Sequence, residues 1–217
     1  MILEEFLQIL NILNQNIDTD SPAYKLKYSY KRNPYTILMT TLLSLRTKDE
    51  NTAKVASKLF NTIQTPQQLL QLSQEELETI VRPTGMYRQK AQTLIDISQT
   101  LINKFNSKVP QTKDELLSLK GVGEKTANIV LNNAFSGGTI AVDTHVHRLC
   151  NMWNIIDTKD EKQSSKVLNE IIPTQYKENL NFSLVSFGQT VCTIKNTKCD
   201  ICRIKNIYNL CEKITLI

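Results

Sequence analysis

Apolar residues return every three or four positions along most of this 217-residue chain, and that period admits helices rather than strands. Ile2, Leu3, Phe6, Leu7, Leu10 and Leu13 form one such stripe, so the chain is predicted to open on an amphipathic helix. Ile37, Leu38, Thr41, Leu42 and Leu45 form a second, starting just past Pro34. Val55, Ala56, Leu59 and Phe60 form a third. Helix starts are written in residue chemistry. Ser73-Gln74-Glu75-Glu76 and Thr112-Lys113-Asp114-Glu115 each read as a capping box, in which a hydroxyl and a glutamate three residues on satisfy each other's backbone N–H groups. There are six glycines. Gly121 and Gly123 read as the stop of the helix that begins at Thr112, and Gly137 and Gly138 as the stop of the next. The one candidate strand, Thr139-Ile140-Ala141-Val142, is short and reads better as an extended connection. The class is all-α, with no fixed-period repeat and no flexible linker.

Composition removes several function classes. With 41% hydrophobic and 22% charged residues the chain is ordinary globular protein rather than disordered or fibrous. Its longest apolar runs, such as Ile37-Leu38-Met39, fall far short of the roughly 20 residues a bilayer needs. No membrane association is expected. The N-terminal stretch carries early acids and no basic region, unlike a secretory signal. A cytoplasmic, nucleoid-associated location and a reducing environment are expected, so the five cysteines read as metal ligands or buried residues rather than disulfides. Net charge is +5, which permits an anionic partner. Five bases and two acids fall between Lys195 and Lys213, beside the cysteines.

Three motifs carry chemistry. In Leu116-Leu117-Ser118-Leu119-Lys120-Gly121-Val122-Gly123-Glu124-Lys125-Thr126-Ala127, a capped helix turns through two glycines and a second helix starts at once. Uncovered backbone N–H groups at a helix N-terminus suit a phosphate. The apolar frame makes this a helix-hairpin-helix, and the spacing is not that of a nucleotide-binding loop. Asp143-Thr144-His145 follows the extended run. Asp143 is a natural N-cap and can also act as a fixed negative charge. His145 and His147 point to different helix faces and do not form a metal pair. Last comes Cys192-x6-Cys199-x2-Cys202-x8-Cys211. A four-cysteine zinc site competes for it. A single C-x2-C with outlying cysteines suits an iron–sulfur cubane better than zinc, which usually takes two such knuckles. Cys150, among Leu149, Met152 and Trp153, reads as a small buried hydrophobe.

These motifs, in this order, resemble the endonuclease III family of DNA glycosylases in the helix-hairpin-helix superfamily, over essentially the whole chain. The stretch from Leu119 to Asn128, continuing through Ala141-Val142-Asp143-Thr144-His145, carries the resemblance most strongly. It implies a two-domain fold: a six-helix barrel at residues 27–137, and a second domain joining residues 1–26 to 138–217 and holding a [4Fe–4S] cluster. Cys192, Cys199, Cys202 and Cys211 would be its ligands. By resemblance Lys125 is the nucleophile and Asp143 the catalytic carboxylate. Two departures stand out. The last cysteine spacing is eight residues where the family usually has five. In Leu43-Ser44-Leu45-Arg46-Thr47, Arg46 takes the place where the family commonly has the glutamine that fills the gap left by the flipped base. Met86, in Gly85-Met86-Tyr87, resembles the intercalating loop.

The chemistry follows. A base must leave the duplex to be reached, at a cost of a few kcal/mol. Arg46 would fill the vacated space and Met86 would part the base step. Lys125 would attack C1′ as a neutral amine, and Asp143 would stabilise the developing positive charge or relay a proton. Gly121 and Gly123, together with Lys195 and Lys198 in the cysteine loop, would meet phosphates. The expected activity is a bifunctional glycosylase and abasic-site lyase, acting as a monomer on damaged double-stranded DNA and excising oxidised pyrimidines. The alternatives are a monofunctional adenine or thymine mismatch glycosylase, a non-catalytic iron–sulfur DNA-binding protein, and a zinc-stabilised DNA-binding module.

Overall fold

A computed structural model describes residues 2–205. Twelve α-helices occur among them: α1 Leu3–Gln15, α2 Pro22–Tyr28, α3 Pro34–Ser44, α4 Asp49–Phe60, α5 Pro66–Leu69, α6 Gln74–Val81, α7 Tyr87–Phe105, α8 Lys113–Leu117, α9 Glu124–Phe135, α10 Thr144–Met152, α11 Glu161–Ile171 and α12 Thr174–Thr190. No strand occurs among the described residues, as the all-α class requires. None of these helices is long and apolar enough to cross a membrane.

The chain divides into two compact units. Lys25–Gly137 is one; Met1–Tyr24 with Gly138–Ile217 is the other. In the first, α3 is buried almost all round from Tyr35 to Leu43, as a central helix must be. Asn33 caps it, accepting from the Thr36 N–H at 3.0 Å, and Pro34 sits where its missing N–H costs nothing. Helices α9 and α7 pack on α3, and α6 packs on α7. Leu38, Leu59, Leu77, Leu94 and Val130 meet in the shared core. A polar pair within it is satisfied: the Tyr35 and Ser98 hydroxyls lie 2.8 Å apart.

In the second unit, α12 takes the central place, with α1 and α10 against it. Trp153 is sandwiched, its ring centroid 6.2 Å from Phe6 and 6.1 Å from Phe187. Cys150 lies fully buried in the same core. Burial pushes its thiol well up, so it is an inert hydrophobe. Gly188 lets α12 approach α10 closely: a Cβ there would fall 2.6 Å from Nδ1 of His145.

Two helix stops differ from the sequence expectation. Helix α8 ends at Leu117, with Ser118 at its C-cap, and only then does the chain turn through Gly121. Helix α9 ends in a left-handed Ser136 at φ 51°, ahead of the glycines. The Gly137 N–H donating to the Leu131 carbonyl at 3.0 Å satisfies the end there. Helix α2 is absent from the sequence reading because it buries no residue fully and so has no stripe to show.

Core position should dominate stability. Leu77→Ala, at a fully buried site on α6, should cost about 2–5 kcal/mol. Leu117→Ala, at a 37% exposed site, should cost no more than about 1 kcal/mol. Denaturant unfolding followed by circular dichroism measures both, and equal losses would contradict this core.

Candidate active site and nucleic-acid interface

The hairpin lies between α8 and α9. Val122 N–H donates to the Leu119 carbonyl at 3.1 Å and closes the turn. Gly121 takes φ +82°, the left-handed region, and a Cβ there would sit 3.2 Å from Cγ2 of Thr93. Gly123 is the N-cap of α9 in ordinary extended geometry, φ −98°. Its Cβ side meets nothing within 4 Å, so the backbone there is open to an approaching group. The first N–H groups of α9 have no intrahelical acceptor and carry the positive end of the helix.

Lys125 lies in that first turn and is exposed. Lys120, the other lysine of the hairpin, is committed: its Nζ donates to the Asp96 carboxylate at 2.7 Å and holds that carboxyl below its usual range. The two are thus distinguished by their partners, although both read as hairpin lysines in the sequence.

Asp143 belongs to the other unit. As N-cap of α10 it accepts the Val146 N–H at 3.0 Å. The run before it has no strand to pair with, so side-chain amides serve its backbone. Asn169 is bidentate to Ile140, accepting from its N–H at 2.8 Å and donating to its carbonyl at 3.1 Å. Asn181 donates to the Ala141 carbonyl at 2.7 Å. These two asparagines fix the chain that delivers Asp143, and the sequence pattern gave no sign of them. His147 Nδ1 lies 2.6 Å from the Ser164 hydroxyl, an ordinary structural contact.

Arg46 and Met86 come together around one cavity of about 410 Å³, which Leu42, Leu45, Lys90 and Gly121 also line. Met86 is 52% exposed, so it is not a core residue. Both residues are left-handed, Arg46 at φ 54° and Met86 at φ 46°. Such a conformation costs a non-glycine residue about 1–2 kcal/mol and needs outside support. Lys90, four residues past Met86 on α7, provides contacts on both sides. Its Nζ donates to the Leu43 carbonyl at 2.7 Å, the Thr47 hydroxyl at 2.5 Å and the Thr84 carbonyl at 2.9 Å. Burial holds its ammonium down to about 8.

Lys195 and Lys198 are both exposed on the loop after α12, which the Lys198 N–H closes onto the Val191 carbonyl at 2.9 Å. Cys192 opens this loop and Cys199–Ile201 forms a single 3-10 turn. Among the described residues no three His, Cys, Asp or Glu side chains are gathered as a closed metal site. The three described thiols of the motif are nonetheless electrostatic neighbours. Burial pushes the Cys192 thiol up, Arg148 pulls it down, and Cys202 and Cys199 add to the rise. Three thiols on one loop beside a guanidinium fit an anionic metal–thiolate group. Cys211 lies outside the described residues.

The chain matches the family described as HhH-GPD superfamily base excision DNA repair protein over residues 39–174. It is 41% identical over 174 residues to endonuclease III of Thermotoga maritima, covering 80% of this chain and 82% of that protein. A non-covalent endonuclease III–DNA complex superposes with a TM-score of 0.82 at 29% identity, covering 99% of each chain. A trapped endonuclease III–DNA covalent intermediate superposes with a TM-score of 0.80 at 28% identity, covering 99% of this chain and 100% of that one.

The two hairpin glycines should respond differently to a methyl group. Gly121→Ala forces a left-handed alanine toward Thr93 and should destabilise by about 1–2 kcal/mol. Gly123→Ala needs no unusual φ and meets no neighbour, so its cost should stay near 0.5 kcal/mol. Unfolding midpoints of the two variants check this; the reverse order would contradict the turn geometry.

Proposed function

We propose a function from one premise: the chain belongs to the endonuclease III family of HhH-GPD superfamily base excision DNA repair proteins. It is a bifunctional DNA glycosylase and abasic-site lyase. The observation that carries the residue assignment is the position of Lys125, exposed in the first turn of α9 directly after the Gly121–Gly123 hairpin. We read residues 27–137 as the barrel domain that presents this hairpin to DNA, and residues 1–26 with 138–217 as the second domain.

The hairpin N–H groups would hold a backbone phosphate and so set the register of the strand. Met86 would enter the base step and Arg46 would occupy the vacated space, donating hydrogen bonds to the orphaned base. Bound DNA would cover Lys125 and exclude water from it. Its amine nitrogen would form a bond to C1′ while the glycosidic bond breaks, the electron pair leaving with the base. Asp143, a carboxylate fixed at a helix N-cap, would stabilise the positive charge that develops on the sugar. Loss of the O4′ bond gives a Schiff base. Removal of a C2′ proton then expels the 3′ phosphate by β-elimination, cutting the strand. Oxidised pyrimidines are the substrate class this reading favours.

Cys192, Cys199 and Cys202, with Cys211, would hold a [4Fe–4S] cluster. When bound it would supply cross-linking of the loop rather than a step of the reaction, and the exposed Lys195 and Lys198 would meet phosphates from a fixed backbone.

Two experiments test this. Borohydride should trap native protein on abasic duplex through the reduced Schiff base. Lys125→Ala should abolish trapping and strand cutting while retaining duplex binding. Asp143→Asn should keep the cap and the fold yet lose most of the excision rate. Trapping by Lys125→Ala protein would assign the nucleophile elsewhere, and a native enzyme that excises but never traps would be a monofunctional glycosylase. For the cysteines, iron and sulfide analysis should show a cluster that Cys199→Ser loses and Cys150→Ser keeps. Stoichiometric zinc without sulfide would overturn that assignment.

A further inference from the structure

We propose that Lys90 is a positioning residue that couples the two duplex-opening segments, tying the Arg46 stretch to the Met86 stretch so that plug and wedge act as one piece. The proposal rests on the reading of Arg46 and Met86 given above.

A lysine ammonium has three donors and no acceptor. All three go to oxygens of the two segments. The Leu43 carbonyl lies before Arg46 and the Thr47 hydroxyl after it, while the Thr84 carbonyl lies two residues before Met86. The Thr47 hydroxyl in turn donates to the same Thr84 carbonyl at 2.7 Å, so the two segments are also linked directly. No carboxylate is among these partners. The positive charge instead faces the C-terminal end of α3, whose carbonyls carry the negative end of that helix. That ammonium is half-buried and fully engaged, so it has no proton left for a phosphate.

The tie has a specific task. Arg46 and Met86 are two exposed residues at φ 54° and 46°, conformations their own side chains disfavour. Their segments both line the 410 Å³ cavity. Untied, each segment would relax toward extended geometry and would have to be ordered again on entering DNA, lowering affinity for opened duplex. Tied, they are preorganised, and insertion of one places the other. Substituting either Arg46 or Met86 should therefore lose much of what substituting both loses.

The test uses Lys90→Met, which keeps the length and apolar stem but has no donor. Binding is measured on duplex carrying a tetrahydrofuran abasic analogue and on plain duplex of the same sequence. Native protein should prefer the analogue. Lys90→Met should lose roughly tenfold of that preference. Its affinity for plain duplex and its salt slope should stay unchanged, since no phosphate contact is removed. A double-mutant cycle separates positioning from mere folding: Arg46→Ala and Met86→Ala should be non-additive in native protein and additive in the Lys90→Met background. Thr47→Val, which removes only the bridging hydroxyl, should give the same change in part and serves where Lys90→Met does not fold. Equal loss on both duplexes, coupling between Arg46 and Met86 that survives Lys90→Met, or coupling that Thr47→Val leaves undiminished, would overturn the tie. Native protein with no preference for the analogue would overturn the plug-and-wedge reading and the tie with it.

Discussion

A chain made of short helices has many helix ends, and each end leaves backbone groups without a partner inside the helix. How those ends are closed decides most of what this molecule can present to a ligand. Several starts are closed by side chains that belong to the same end: Asn33, Thr65, Ser73, Thr112 and Asp160 each accept the N–H three residues on. Some ends without a side-chain cap carry proposed functional residues, whereas the starts of α4 and α12, on Lys48 and Pro173, do not. Helix α9 starts on Gly123, which has no side chain to close it. Helix α7 starts on a left-handed Met86 with no capping bond. Helix α3 ends one residue before Leu45, followed by a left-handed Arg46. On the proposed reading, backbone or apolar side chain at these three ends would be available to DNA.

Asp143 shows the opposite solution at the same kind of place. It does close its own helix, and the segment leading to it is held by two asparagines from α11 and α12. A short extended run with no strand beside it would otherwise leave backbone groups buried and unpaired, which is costly. Asn169 supplies the donor and acceptor a neighbouring strand would have supplied. Gly188 fixes the other side by letting α12 press against His145. The carboxylate is thus placed by packing far along the sequence, while its identity as an N-cap is local.

That contrast separates what was legible in the sequence from what was not. The stripes of α1, α3 and α4 and the box at Ser73 could be read because periodicity and capping are local properties. The hairpin and the C-x2-C could be read because glycine and cysteine have few alternative uses. Lys90 could not. A lysine on an amphipathic helix looks like any solvated lysine, and two of its three acceptors are backbone carbonyls, which leave no mark in a sequence. Asn169 was hidden for the same reason. The glycine pair at 137 and 138 misled in a smaller way: Ser136 adopts the left-handed turn because the chain can satisfy the α9 end one residue earlier.

Net charge is a poor guide to which surface meets DNA, because many cations here are already engaged. Lys90 binds three oxygens and Lys120 binds Asp96. Lys177 donates to the Asn169 carbonyl and Arg148 to the Cys192 carbonyl. Three of these groups, Lys90, Lys177 and Arg148, engage carbonyl dipoles rather than acids, so counting acid–base pairs would miss them. Arg46, Lys125, Lys195 and Lys198 are exposed. They stand at the proposed gap-filling position, the hairpin and the cysteine loop. The engaged cations hold the backbone that carries them: Lys90 beside Arg46, Lys120 beside the hairpin, Arg148 at the start of the cysteine loop. Each exposed group therefore projects from a segment that an engaged one has already fixed, which lowers the ordering cost of binding a polyanion.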